Sequence, residues 1–222
     1  MSFTRAIGSA CDKVVVLIVR GLIAAGVRPN TLTFIGLLVN VVAAAVLAAG
    51  LFRTAGFVIM GAAVFDMVDG RVARTTGRVT RFGGFFDSVL DRYSDLLLLI
   101  GLLVYYASIN RFFYIVLTAV VMVATVLVSY TRARAENVIP NCKVGFMERP
   151  ERIVLLIIGA LFDRMAAVLW VIAVLGNLTV IHRIIYTWKE TRRLEQAAAP
   201  VPAHAPEPSQ QPEIPRREPH TA

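Results

Sequence analysis

Cysteine is almost absent from this sequence: Cys11 and Cys142 are the only two among 222 residues. Two thiols give no disulfide framework, and neither has partners at the spacing of a metal site. Charge is scarce as well. Asp, Glu, Lys and Arg supply 17% of the chain against 57% apolar residues, and mean hydropathy is +0.67. That balance excludes a water-soluble globule. Acidic residues are the minority, 15 against 23 Lys and Arg, for a formal charge of +8. In a soluble chain such an excess would point to nucleic acid. In one this apolar it marks cytoplasmic loops and contact with anionic headgroups, so a lipid bilayer and no nucleic acid is the expected partner. There is no internal repeat. No short apolar run near the start ends in a cleavage-type site, so no cleavable leader is expected.

What the chain does contain is a series of long apolar runs, each to be judged against the ~20 residues that a helix needs to cross a bilayer. Residues 9 to 26 are apolar but interrupted by Lys13 and Arg20, which suits a helix lying in the interface. The segment Pro29-Asn30-Thr31-Leu32-Thr33 reads as a helix start with Asn30 or Thr31 as N-cap. Spans are then expected at about 33–52, 55–76, 83–106, 111–131, 150–163 and 166–188. The fifth is short, and residues 153–182 can also be read as one long helix. Charge decides between the two. With six spans and both termini cytoplasmic, the outer loops hold Arg53, Arg111 and Arg164, one each. The other basic residues, Arg92 apart, fall on the inner side, as the positive-inside rule requires. The expected fold is therefore an all-α membrane protein. Six transmembrane helices are preceded by an interfacial amphipathic helix, in a multi-pass protein of the cytoplasmic membrane. Its parts are an N-terminal interfacial helix at 1–28, a six-helix domain at 29–194 and a disordered Pro/Ala-rich tail at 195–222.

Charges inside spans are costly and point to function. Here they form one block: Asp66, Asp69, Gly70, Ala73 and Arg74 in the second span, then Gly83, Asp87 and Asp91 in the third. Asp66 and Asp69 are three residues apart and Asp87 and Asp91 four apart, so each pair shares a helix face. A short polar turn joins the two helices, which makes them antiparallel neighbours with converging acidic faces. Four carboxylates in low dielectric repel one another or take up protons. A hard divalent cation removes that conflict, and carboxylate oxygens suit Mg²⁺ or Mn²⁺, with Mg²⁺ usually bound together with substrate phosphates. Gly70 and Gly83 would let a ligand approach the backbone, and Arg74 would neutralise phosphate charge.

This block resembles the signature of the CDP-alcohol phosphotransferase family, D-x2-D-G-x2-A-R-x8-G-x3-D-x3-D, and matches it at every fixed position across residues 66–91. The resemblance implies that Asp66, Asp69, Asp87 and Asp91 hold one or two Mg²⁺ or Mn²⁺ ions, which grip the pyrophosphate of CDP-diacylglycerol. It also implies that Asp91 is the general base on the acceptor hydroxyl, and that CMP leaves. Pro29, Asn30, Thr31, Leu32, Gly70, Arg74 and Thr80 would contact the donor nucleotide, and a homodimer is implied. Spacing alone does not select Asp91 as the base.

A second group is basic: Arg132, Arg134, Lys143, Arg149, Arg152 and Arg183. Glu148-Arg149-Pro150-Glu151-Arg152 looks like a helix start with Pro150 near its first position, and a helix N-terminus beside arginines suits a phosphate. Ordinary positive-inside charge would account for any one of them. As a set, Arg132, Arg134, Arg149, Arg152 and Arg183 are expected to bind a phosphorylated polyol acceptor. The E-R-P-E-R stretch resembles that of family members using inositol phosphate, with glycerol 3-phosphate as the alternative acceptor. Asp95, outside the motif, is expected to pair structurally with an arginine. Two readings of other classes compete with this one: a UbiA-like prenyltransferase, whose two acidic motifs lie far apart in sequence, and an ion-coupled transporter, which has no need of Gly and Arg in register with carboxylates.

Overall fold

The computed structural model describes residues 29–75 and 80–198, with the backbone alone at Pro29, Asn30, Met67, Asp69, Gly70, Arg71, Ala73, Arg74, Thr75 and Ala198. Six helices are found among the described residues: α1 (Pro29–Ala48), α2 (Phe52–Thr75), α3 (Arg81–Ser108), α4 (Phe112–Ala135), α5 (Arg149–Leu161) and α6 (Met165–Ala198). No strand occurs among them. The interfacial helix expected at 1–28 and most of the expected tail lie outside the described residues. Residues 195–198, assigned to that tail, instead continue α6. Leu194, Glu195, Gln196 and the following alanines are good helix formers, and the first residue able to stop them is Pro200.

Local chemistry sets the other boundaries. Pro29 is already helical, so Asn30 and Thr31 sit in the first turn and are not caps. The fixed φ of proline is preorganised for that position. α1 closes earlier than residue 52 because Gly50 adopts φ +77. Its N–H donates to the Leu47 carbonyl at 2.9 Å, and that of Leu51 to Val46 at 3.2 Å, a left-handed helix stop. A Cβ on Gly50 would also lie 2.8 Å from the Tyr105 ring. The helices α5 and α6 are separate, as charge placement indicated. Asp163 takes φ 53 at the break, and its carboxylate pairs with Arg53 at 2.9 Å, tying this turn to the start of α2.

Among the described residues α1 packs against both α2 and α3, α2 also meets α5, and α3 meets α4. The reason lies in small residues. Gly101 of α3 sits against the backbone of Ala44, so close that an added Cβ would lie 2.9 Å from the Ala44 Cα. α1 thereby packs closely on α3 as well as on α2. Replacing Gly101 by alanine forces α1 and α3 apart, and overpacking of this kind costs about 1–3 kcal/mol. The expected result is a lower unfolding midpoint in detergent; an unchanged midpoint would contradict this packing. The core around this contact holds Leu47, Ile59, Leu98, Leu102, Leu156 and Leu169.

The exterior is apolar: Phe57, Phe113, Val123 and Val171 are among many exposed large side chains, as expected of a surface facing lipid. By length and apolarity α1, α4 and α6 suffice to cross a membrane. α2 and α3 are long enough, at 24 and 28 residues, but carry the charges of the site. α5, with 13 residues, is only ~20 Å long at a rise of ~1.5 Å per residue.

Candidate active site

The first described carboxylate of the motif, Asp66 on α2, lies against α1 at Gly36. A Cβ there would come within 3.0 Å of the Asp66 Oδ1, so the missing side chain leaves room for the carboxylate. Asp69, Gly70 and Arg74 follow on the same helix, and their side chains lie outside those described. Pro29 to Leu32 occupy the same end of the paired helix α1, where Leu32 is buried and Thr31 exposed. α3 is preceded by Thr80, whose hydroxyl oxygen accepts the Gly83 N–H at 2.9 Å, an N-cap that fixes the entry of the Asp87–Asp91 face. Thr80 is therefore committed to the backbone through one lone pair.

Asp66 and Asp91 come together on a residue assigned from sequence to the acceptor side. Nη2 of Arg149 is 2.5 Å from the Asp66 Oδ2 and 3.1 Å from the Asp91 Oδ1, and its Nε lies 3.4 Å from the Asp95 Oδ1. Two carboxylates from separate helices thus converge on one positive charge. Among the described residues no three His, Cys, Asp or Glu side chains form a metal-holding group; Asp69, the neighbour of Asp66 on its helix face, is outside them. A cation of the protein itself already sits between Asp66 and Asp91, which shows that this acidic pair accommodates positive charge. The donor set, all oxygen, fits a hard divalent ion.

Arg149 is aimed there by the start of α5. The Glu148 N–H donates to the Glu151 carboxylate at 3.1 Å, and Pro150 stands in the first turn, as the sequence indicated. The Glu148 carboxylate faces the other way. Its Oε1 accepts from Arg132 Nη1 at 3.0 Å and from Arg183 Nη2 at 2.8 Å. Arg183 is 1% exposed; its Nε donates to the Val144 carbonyl at 2.8 Å and its Nη1 to that of Val128. This buried guanidinium joins α4, α6 and the segment before α5. Glu148 was not anticipated, because an acidic residue in a basic stretch reads as a helix-start signal and nothing more.

Arg132, Arg149 and Arg183, with Ser88, Arg92 and Glu148, line a cavity of about 320 Å³ adjoining the aspartates. The other two arginines assigned to the acceptor lie elsewhere. Arg134 lines a second cavity of about 460 Å³ with Tyr130 and Trp188, between α4 and α6, and Arg183 borders both cavities. It is two residues from Arg132, and on a helix that spacing points to a different face. Arg152 is 2% exposed and pairs with Asp95, itself 3% exposed. The expectation that Asp95 pairs with an arginine is met, and Arg152 is thereby drawn into the helix packing and away from the cavity wall.

Residues 26–188 match the family model described as CDP-alcohol phosphatidyltransferase. The chain is 36% identical over 167 residues to the archaetidylinositol phosphate synthase of Methanothermobacter thermautotrophicus, across 72% of this chain and 83% of that protein. It is similar in fold to crystal structures of Mycobacterium tuberculosis phosphatidylinositol phosphate synthase. The one with CDP-DAG bound has a TM-score of 0.73 at 29% identity, over 79% of this chain and 94% of the other. The one in complex with manganese and citrate has a TM-score of 0.73 at 30% identity, over 78% and 88%. These matches decide against the prenyltransferase and transporter readings: with its acidic block intact and its family model spanning most of its length, the chain belongs to the CDP-alcohol phosphatidyltransferase family.

Proposed function

We propose that this protein transfers a phosphatidyl group from CDP-diacylglycerol to a hydroxyl of inositol phosphate and releases CMP. The observation that carries this reading is the meeting of Asp66 and Asp91 beside a cavity walled by Arg132, Arg149 and Arg183. A site for a pyrophosphate-bound cation is thus joined to one for a second, separate phosphate. Inositol phosphate carries such a phosphate, whereas a neutral or cationic alcohol gives these arginines nothing to bind.

In this reading Asp66, Asp69, Asp87 and Asp91 hold Mg²⁺ or Mn²⁺, and the ion, when bound, neutralises charge on the donor pyrophosphate. Pro29, Asn30, Thr31, Leu32, Gly70, Arg74 and Thr80 hold the cytidine side. The basic cavity holds the acceptor phosphate. Asp91 takes the proton from the acceptor hydroxyl as its oxygen attacks the lipid-side phosphorus; the bond to the bridging oxygen breaks and CMP carries away the electron pair. Asp91 suits that role by its place on α3 beside Arg92 and one turn from Ser88, both of which line the cavity.

All six helices are assigned to the membrane, with both termini cytoplasmic and the site opening to that side. α5 is short for the ~30 Å of hydrocarbon, but the segment before it makes up the difference. The N–H groups of Phe146 and Met147 both donate to the Thr179 hydroxyl of α6 at 3.1 Å, and Cys142 and Met147 are buried. Non-helical backbone satisfied by protein in this way is tolerated at membrane depth. The catalytic unit is residues 29–194, with 1–28 as an interfacial helix and 195–222 as an appendage, and the protein works as a homodimer.

The test is CMP release by purified protein with Mn²⁺ and CDP-diacylglycerol, offered inositol phosphate, glycerol 3-phosphate or unphosphorylated inositol. Release should be fastest with inositol phosphate and stay at background with inositol. Release with none of the three removes the donor reading; preference for glycerol 3-phosphate reassigns the acceptor.

A further inference from the structure

The position of Arg149 joins the acidic group to the basic cavity. Its guanidinium lines the basic cavity, yet its Nη2 is directed at Asp66 and Asp91 rather than into that cavity. The other two arginines of the cavity wall are fixed by partners outside the acidic group. Arg132 is held by Glu136 and Glu148, and Arg183 by Glu148 and two backbone carbonyls. Arg149 alone among these three has its charge balanced by carboxylates that a divalent cation would also need.

We propose that Arg149 is a shared counter-ion that couples divalent-cation binding to acceptor binding. It neutralises Asp66 and Asp91 until a divalent cation takes over that role, and the released guanidinium then turns to the acceptor phosphate in the cavity it already borders. This inference rests on the proposed function for the presence of both ligands and adds the link between them. The physical basis is elementary. A guanidinium and a divalent cation competing for the same carboxylates repel each other, so the ion binds more weakly while Arg149 is there. A phosphate that draws Arg149 away removes the repulsion, and by linkage the ion must tighten phosphate binding by the same factor. Movement is confined to the side chain. The start of α5 is anchored by the Glu148–Glu151 contact and by Pro150, while the arginine side chain has several rotatable bonds.

The experiment measures Mn²⁺ binding to the full-length protein in detergent, without CDP-diacylglycerol and hence without turnover. Loss of the free-ion electron paramagnetic resonance signal reports the bound fraction. In the unsubstituted protein, saturating inositol phosphate should tighten Mn²⁺ binding by roughly fivefold or more, the lower end of ordinary coupling between sites. Unphosphorylated inositol should have no effect. In Arg149→Gln, Mn²⁺ should bind more tightly than in the unsubstituted protein, and the effect of inositol phosphate should vanish. Arg132→Gln weakens the phosphate site without touching the aspartates. Mn²⁺ binding without acceptor should be unchanged in it, and coupling should persist at higher inositol phosphate concentration.

The proposal is overturned if inositol phosphate leaves Mn²⁺ affinity of the unsubstituted protein unchanged, if coupling survives Arg149→Gln, or if Arg132→Gln tightens Mn²⁺ as much as Arg149→Gln. The first of these needs no variant, so misfolding of a substituted chain does not protect the idea. Failure of the proposed function itself looks different: Mn²⁺ would not bind at all, or Asp66→Asn would bind it as well as the unsubstituted protein.

Discussion

Asp91→Asn should reduce turnover by a factor of about 10²–10⁴, the usual contribution of a positioned general base, while donor binding survives in part. Asparagine keeps the shape of the side chain and one carbonyl oxygen but has no lone pair basic enough to take a hydroxyl proton. Asp91 also faces Arg149 at 3.1 Å, so the substitution has an electrostatic consequence besides the loss of the base. Comparison with Asp66→Asn separates the two. Asp66 contacts the same Arg149 nitrogen but stands on α2 beside Gly36. In the proposed mechanism it holds the ion and moves no proton. Excess Mn²⁺ should therefore restore part of the activity of Asp66→Asn and none of that of Asp91→Asn. Initial rates of CMP release across a Mn²⁺ titration measure both. If added metal rescues Asp91→Asn, that residue serves as a metal ligand alone and the base lies elsewhere; unchanged turnover in Asp91→Asn removes both of its roles.

The contrast between these two aspartates also shows how far sequence can be read. The block from Asp66 to Asp91 was legible because charge inside apolar runs is rare enough to be informative, and because intervals of three and four residues place side chains on a common helix face. The separation of α5 from α6 was legible through charge as well, since merging them would have put the C-terminal basic residues on the wrong side. Helix–helix contacts were not. That α1 packs on both acidic helices rests on the close approach of Gly101 to Ala44. Nothing local in the sequence distinguishes that glycine from others in the apolar runs.

The arginines teach a related lesson. Six basic residues spread over 132–183 carry the same sign of charge, and which of them face a ligand depends on acidic partners distant in sequence. Glu148 gathers Arg132 and Arg183, Asp95 captures Arg152, and Arg134 turns away on the opposite side of α4. A charge-pairing pattern spread over more than eighty residues, Asp66 to Arg149, has no signature in local spacing. It emerges only when α2, α3 and the start of α5 are brought to one place.

The pair of Asp95 and Arg152 carries the second large expected effect, this time on stability. Both side chains are nearly inaccessible, at 3% and 2%, and Nε and Nη1 of Arg152 find no hydrogen-bond partner among the described residues. The arginine thus depends on a single carboxylate for its compensation. Asp95→Ala leaves a buried guanidinium without its counter-charge, and breaking a buried pair by removing one partner costs about 3–5 kcal/mol. Because Asp95 also lies 3.4 Å from the Arg149 Nε, the loss reaches the active site as well as the ionic link between α3 and α5. A pair of apolar substitutions, Asp95→Leu with Arg152→Met, removes both charges and fills similar volume. It should recover most of the stability lost in Asp95→Ala, since a buried ion pair is frequently no more stable than apolar residues in its place. Unfolding midpoints of the three proteins in the same detergent decide the matter. If Asp95→Ala melts with the unsubstituted protein, Arg152 has other compensation. If the double substitution melts no higher than Asp95→Ala, the destabilisation arises from lost shape rather than from an orphaned charge.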